Sequence, residues 1–378
     1  MSELARLAAR AREEGRLGID TEFMPEGRYR PLLCLVQVCV GDEIAVLDPI
    51  EHDLGDPTAF AAVLADPAVE VVLHAGRQDV AILRRAWNTT FANVFDTQIA
   101  AGFAGFSAQA GYTGLIHDLL RIRLSKSASF TRWDARPLTP EQLRYAREDV
   151  EHLLALTDEL QRRLRERGRL DWAREECVAI AEATDERDPE DAWRRLPRVS
   201  GLDPRGRAVA KELAAWRERR AAAEDRPVGS VLRDPTLVEL AKRAPASARE
   251  LGQIRGAGPD VVRRRARDIL AAIERGRAVP PIRLDEAERL ATDTVDGPTI
   301  ALAEALVRAR AHEAGLAYEL IAARADLAPI VVAVRRGKPE PDVRTLRGWR
   351  RELVGAELLE LLAGKRSLGV VNGRVAVA

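Results

Sequence analysis

Three strand-like runs crowd into the first fifty residues: Leu17 to Phe23, Leu32 to Val40 and Glu43 to Leu47. Connections this short make hairpin-like neighbours, because a parallel return needs a crossover of about a dozen residues or more. A helix signal follows Asp56-Pro57, and a β-branched run at Val69 to Leu73 then lies far enough along to add a parallel strand. The N-terminal part is therefore expected to be an α/β domain on a mixed sheet. A long helix is predicted from Thr139 as N-cap, with Pro140 at the first helical position and Glu141 in the first turn, to about Arg167.

Strand signals fade after Asp171, and Asp188-Pro189 and Leu196-Pro197 read as a linker. Two helical blocks follow, separated by Val279-Pro280-Pro281 and a polar stretch. The predicted organisation is an α/β domain over 1–185, a linker over 186–203, a helical domain over 204–279, a second linker over 280–295, and a second helical domain over 296–378. A chain of 378 residues suits two or three such domains.

Composition narrows the class. With 46% hydrophobic and 31% charged residues, the chain reads as globular rather than disordered or membrane-embedded. The apolar run Leu327 to Val334 is far below the roughly 20 residues a spanning helix needs. The N-terminal stretch SELARLAARAREEG carries charges where a signal peptide has its apolar core, so a cytoplasmic protein is expected. Cys34, Cys39 and Cys177 are odd in number and lack zinc-ligand spacing, which predicts free thiols.

The formal net charge of zero hides a division. Residues 1–160 hold 16 Lys and Arg against 24 Asp and Glu, whereas residues 204–277 hold 18 against 10. An acidic region suits cation binding, and a basic one suits a phosphate backbone. Arginine-rich helical faces also serve simply as solvated surfaces.

Four acidic residues stand out. Asp20 and Glu22, in Gly18-Ile-Asp-Thr-Glu-Phe23, are two apart on a predicted strand and leave the same face. Like charges set side by side favour a cation between them, although an edge strand with a solvated acidic face gives the same pattern. Asp79 follows the strand Val69 to Leu73 at the start of a helix, a position that suits either a ligand site or a dipole-favoured first-turn acid. Asp149 lies four residues after Tyr145, so phenol and carboxylate share one helix face, as an ordinary surface pair would too. An oxygen-only set of Asp and Glu fits Mg2+ or Mn2+ better than zinc, and His74, His117 and His152 are read as structural. Several carboxylates holding two cations about 4 Å apart is what in-line displacement at a phosphodiester requires.

These residues, with their flanking text, resemble the DEDD exonuclease superfamily in its tyrosine-bearing branch, and within it the ribonuclease D family. The carrying segments are GIDTEFMPEGRYRPLLCLVQV (18–38), LHAGRQDVAIL (73–83), FDTQIAAGFAG (95–105) and RWDARPLTPEQLRYAREDVEHLLAL (132–156). The resemblance implies a ribonuclease-H-like α/β fold. It also implies that Asp20, Glu22, Asp79 and Asp149 hold two divalent ions, with Asp20 the preferred bridge, and that Tyr145 positions the attacking water. One departure is Arg132, where the family commonly has an aspartate before the tryptophan. Residues 204–279 resemble the helical HRDC module, with Gly256 and Gly258 before a helix opening at Pro259. Those glycines fit a phosphate-receiving turn or plain punctuation. The block carried by VRTLRGWRRELVGAELLELLAG resembles a second, diverged copy. The implied activity is hydrolysis at a free 3′ end of RNA, releasing 5′-monophosphates in tRNA or other stable-RNA maturation. A DNA-directed exonuclease and a non-catalytic nucleic-acid-binding scaffold are the alternatives.

Overall fold

The computed structural model describes residues 2–125, 132–283 and 295–377. Five strands form one sheet: β1 (Arg16–Met24), β2 (Leu32–Val40), β3 (Glu43–Leu47), β4 (Glu70–Leu73) and β5 (Val94–Asp96). Their order is β3-β2-β1-β4-β5. The sheet is mixed, as β2 and β3 pair antiparallel while β4 runs parallel to both β1 and β5. β1, which carries Asp20 and Glu22, is thus the central strand rather than an edge.

One face of the sheet is covered by the helices Glu3–Glu14 and Thr58–Leu64, through Leu4, Leu7, Phe60 and Val63. On the other side, Cys39 of β2 and Val72 of β4 pack against Val150, Leu153 and Leu154. The helix predicted to run unbroken from Pro140 is in fact two, Pro140–Glu151 and Leu153–Glu166, joined at His152, whose φ of −111° and ψ of 8° leave the helical range. Thr139 caps the first through a capping box with Gln142. Gly18 makes the close approach possible: a Cβ there would lie 2.5 Å from Cys39 Sγ and 3.1 Å from Leu153 Cδ2.

The chain divides into two compact units, whose boundaries differ from those expected. The first comprises the described parts of Met1–Glu22, Leu33–Thr184 and Leu290–Ala378, and the second those of Phe23–Leu32 and Asp185–Arg289. The block expected as a separate C-terminal domain shares a core with the nuclease-like sheet instead. Phe95, Phe103, Leu160 and Leu164 are buried in one cluster with Leu306, Leu327, Trp349 and Leu358. Trp349 stands edge-on to Phe103 at 5.0 Å between centroids and stacks on Trp172 at 5.3 Å. Its Nε1 donates to Glu176 at 3.0 Å, and Arg350 grips the same carboxylate through both terminal nitrogens.

Two further expectations need amending. The block 296–378 is not wholly helical, because β6 (Leu368–Val371) and β7 (Arg374–Val377) form an antiparallel ribbon. Asn372 and Gly373 both have positive φ, 52° and 75°, the backbone a tight hairpin turn demands. The stretch 186–203 is not a loose linker either: it winds into short 3-10 turns, and Trp193, Leu196, Val199 and Leu202 are buried in the second unit's core with Leu213, Leu237 and Ile273. Most of the expected linker 280–295 lies outside the described residues. Among those described, no helix is long and apolar enough to cross a membrane.

Candidate active site

Strand alternation does place Asp20 and Glu22 on one face, and the helix Pro140–Glu151 brings Asp149 to it. One carboxylate oxygen from each of Asp20, Glu22 and Asp149 lies within 4.8 Å of the others. No histidine or cysteine joins this cluster among the described residues. Asp79, in the first turn of the helix Arg77–Ala86, is buried and accepts a hydrogen bond from the Thr21 hydroxyl. It therefore stands beside the trio, close enough for its charge to act on Asp20 and Glu22, with its carboxylate turned to Thr21.

The electrostatics record four acids crowded together, Asp79 buried and Asp20, Glu22 and Asp149 half-buried. Burial, followed by the charges of Asp79, Asp149 and Glu22, pushes the Asp20 carboxyl well above the usual range. Burial and the charges of Asp149 and Asp79 push Glu22 up to about 8. Asp149 is raised to about 7, chiefly by burial, and Asp79 to about 6 by burial against the opposing pull of Thr21. Tyr145 donates its phenol proton to Asp149, while the other oxygen, Asp149 Oδ2, is buried with no hydrogen-bond partner. Carboxylates crowded in this state favour the arrival of positive charge. The donors present are all oxygens, so the set fits a hard divalent cation.

The Tyr145 ring packs against Trp133, 5.9 Å between centroids. The loop bearing Trp133 is in turn pinned by Arg136, whose guanidinium donates to both oxygens of Asp48 at 2.6 and 2.7 Å, to the Trp133 carbonyl at 2.7 Å and to the Cys34 carbonyl at 3.1 Å. Arg132, where the family commonly has an aspartate, is exposed and bound to Asp134 at 2.9 Å, so its charge is spent on its own loop. His74 hydrogen-bonds Thr97 at 2.9 Å and burial lowers its pKa, His117 pairs with Asp118 on the surface, and His152 marks the helix break. All three cysteines are buried and free.

Asp96 is a residue that sequence reasoning missed. At the end of β5 it is 1% exposed, and its carboxylate accepts from the backbone N–H of Ala75 and Gly76 at 3.2 and 2.9 Å and from those of Gln98 and Ile99 at 2.8 and 3.2 Å. It thereby ties the turn leading to Asp79 to the start of the helix Thr97–Phe103. The Asp-Thr pair before an apolar run is a helix-start signal, but the reach back to residues 75 and 76 is tertiary. Asp96→Ala strands four backbone donors, that of Gly76 buried and the others part-buried, and is expected to cost roughly 3 kcal/mol. A urea titration of wild type and variant measures it, and a loss below about 1 kcal/mol would contradict this role.

Residues 1–165 match the 3′-5′ exonuclease family, and residues 206–273 match the HRDC domain. Ribonuclease D of Acidiphilium cryptum is 38% identical over 378 residues, covering 99% of this chain and 94% of that protein. The chain belongs to the ribonuclease D family. Ribonuclease D of Gluconacetobacter diazotrophicus is 37% identical, again covering 99% of this chain and 94% of that protein. The crystal structure of Escherichia coli RNase D, an exoribonuclease involved in structured RNA processing, superposes with a TM-score of 0.83 at 30% identity and covers 96% of each chain. Ribonuclease D enzymes are metal-dependent 3′→5′ exonucleases, and the acidic cluster that this chemistry needs is in place.

Proposed function

We propose that this ribonuclease D acts on RNA with a free 3′ end, releasing 5′-monophosphates one at a time in tRNA or other stable-RNA maturation. The observation that carries the reading is the convergence of Asp20, Glu22 and Asp149 on one point, beside Asp79 and with the Tyr145 phenol on Asp149. Asp20, Glu22, Asp79 and Asp149 would hold two divalent ions, Mg2+ or Mn2+. Bound there, the ions supply an acidified water and charge stabilisation for the departing 3′ oxygen.

The protein's own share is orientation. The four carboxylates hold the site's negative charge in place, and Tyr145, braced by Trp133, fixes the direction of the phenol O–H. The role of the E. coli relative in structured RNA processing supports RNA as the polymer. Three buried free thiols support a reducing, cytoplasmic location. The block 296–378 is read as a second, diverged HRDC-like module, supported by its run of helices Asp296–Ala314, Arg324–Arg335 and Ala356–Leu362.

Hydrolysis of matched RNA and DNA strands, each with a 3′ hydroxyl or a 3′ phosphate and with Mg2+ or Mn2+, tests the reading. Faster degradation of DNA would overturn the choice of polymer, and cleavage inside a 3′-blocked strand would overturn the 3′-end requirement. Tyr145→Phe is expected to lower kcat by about 100-fold while leaving the Kd for RNA within about twofold, since a phenol that orients water acts in the transition state. Equal losses in kcat and affinity would count against that role.

A further inference from the structure

Arg136 lies between Trp133 and the helix Pro140–Glu151, and its guanidinium is fully engaged. Nε and Nη2 donate to the two oxygens of Asp48 at 2.7 and 2.6 Å, Nη2 donates also to the Cys34 carbonyl at 3.1 Å, and Nη1 donates to the carbonyls of Trp133 and Ala135 at 2.7 and 2.8 Å. A guanidinium carries five N–H donors, and each has an acceptor here. The Arg136 and Asp48 side chains are only 14% and 11% exposed, so solvent screens the pair little. With its donors and its charge both spent on the protein, this arginine has nothing to offer a substrate phosphate. Its work is internal.

The fork joins three separate pieces of chain. Cys34 belongs to β2, Asp48 follows directly on β3, and Trp133 and Ala135 belong to the stretch that leads to the N-cap Thr139. Asp48 is itself held, since its Oδ1 accepts from the backbone N–H of Ile50 and Glu51 at 3.0 and 3.1 Å. The helix Pro140–Glu151, which carries both Tyr145 and Asp149, packs on β3. The buried Trp133 ring meets the Tyr145 ring at 5.9 Å between centroids, tilted by 39°. The clamp therefore reaches the phenol by two routes, through the indole and through the start of the helix.

We infer that Arg136 is a positioning residue for hydrolysis, holding the Tyr145 phenol in place beside Asp149, where it orients the attacking water. The inference rests on the water-orienting reading of Tyr145. A misplacement of about 1 Å at such a group costs up to about 100-fold in rate. Binding of the polymer, spread over its phosphates, does not depend on that angle. Lysine is no substitute, because it keeps the charge but replaces a planar fork of five donors with three on a single nitrogen.

The test compares Arg136→Lys, Tyr145→Phe and the pair in the full-length protein. Initial rates with Mg2+ give kcat, and binding in EDTA gives the Kd for a fluorescein-labelled single-stranded RNA. Arg136→Lys is expected to lower kcat about tenfold or more while Kd stays within about twofold. In the pair, kcat should fall less than about threefold below that of Tyr145→Phe, since an arginine acting through the phenol has nothing to position once the hydroxyl is gone. An arginine that merely supports the fold would disturb the carboxylates as well, and the two losses would multiply. That result overturns the inference, as does wild-type kcat in Arg136→Lys or a Kd weakened as much as kcat. Should thermal melts show that the lysine variant does not fold, Asp48→Asn, which weakens the same fork from its other side, takes its place in the cycle with the same expectations. A fully active Tyr145→Phe would overturn the water-orienting role of Tyr145 and this inference with it, whereas multiplied losses overturn this inference alone.

Discussion

Asp20→Asn is expected to abolish hydrolysis, by on the order of 1,000-fold or more, while making the metal-free protein more stable rather than less. Both effects follow from one fact: Asp20 sits on the central strand with Glu22, Asp79 and Asp149 around it, so its charge is costly until a cation is present. Asparagine keeps the shape and drops the charge. The site loses the carboxylate on which the charges of Asp79, Asp149 and Glu22 all act, and cation affinity is expected to fall with it. The folded protein meanwhile loses a repulsion that the unfolded chain never felt. A hydrolysis assay at saturating Mg2+ and a thermal scan in EDTA near pH 8 read the two effects. Substantial residual hydrolysis would remove Asp20 from the metal site, and a lower melting temperature for the variant would show that its charge is compensated by something other than a cation.

The metal-free protein is also expected to lose stability as pH rises from about 4 to about 8, on the order of 5 kcal/mol across the acid cluster. The sign follows from the raised carboxyls, Glu22 at about 8, Asp149 at about 7 and Asp79 at about 6, each lifted first by burial. In the unfolded chain these groups titrate near 4. Between the two values the folded state holds protons that the unfolded state has released, so stability is present at the acid end and lost as pH climbs through the folded values. A divalent ion binds the ionised cluster and opposes this, contributing about 2.7 kcal/mol at a hundredfold excess over its Kd. Mg2+ should therefore raise Tm far more at pH 8 than at pH 5. Denaturation midpoints with EDTA and with Mg2+ over that range check the trend, and a metal-free protein most stable at pH 8 would show that the acids are already neutralised by other means.

How far such features can be read from sequence depends on whether they are local. Asp20 and Glu22 share a face because strand side chains alternate, and Tyr145 meets Asp149 because helices bring positions four apart together; both are rules of one segment. The His152 break is not, since no glycine or proline marks it within the run Val150 to Leu156. β5, with three residues, is too short for a periodic signal, and the four-donor role of Asp96 exists only once β5 lies beside β4. The C-terminal ribbon was legible in principle, because Asn372-Gly373 between alternating apolar residues is a hairpin signal. Prolines at 189 and 197 suggest a loose connection, while the apolar Trp193, Leu196 and Val199 between and beside them are what fold that stretch into a core. Nothing local says which core an apolar helix will join, so the partnership of Trp349 with Phe103 and Trp172 had no sequence counterpart.

That partnership sets a timetable for synthesis. The first compact unit is discontinuous in the chain, closing only when residues near Leu306, Leu327 and Trp349 meet Phe103 and Leu160. A ribosome adding roughly 5 to 20 residues per second needs on the order of 10 to 40 seconds to pass from Thr184 to the last residue. During that interval the sheet and its four acids have been made, but the apolar side of the helices carrying Phe103 and Leu160 waits uncovered. The second unit, nearly continuous from 185 to 289, emerges and can fold in between. A chain that stops before Trp349 is thus incomplete at its core, although all four acids have been made.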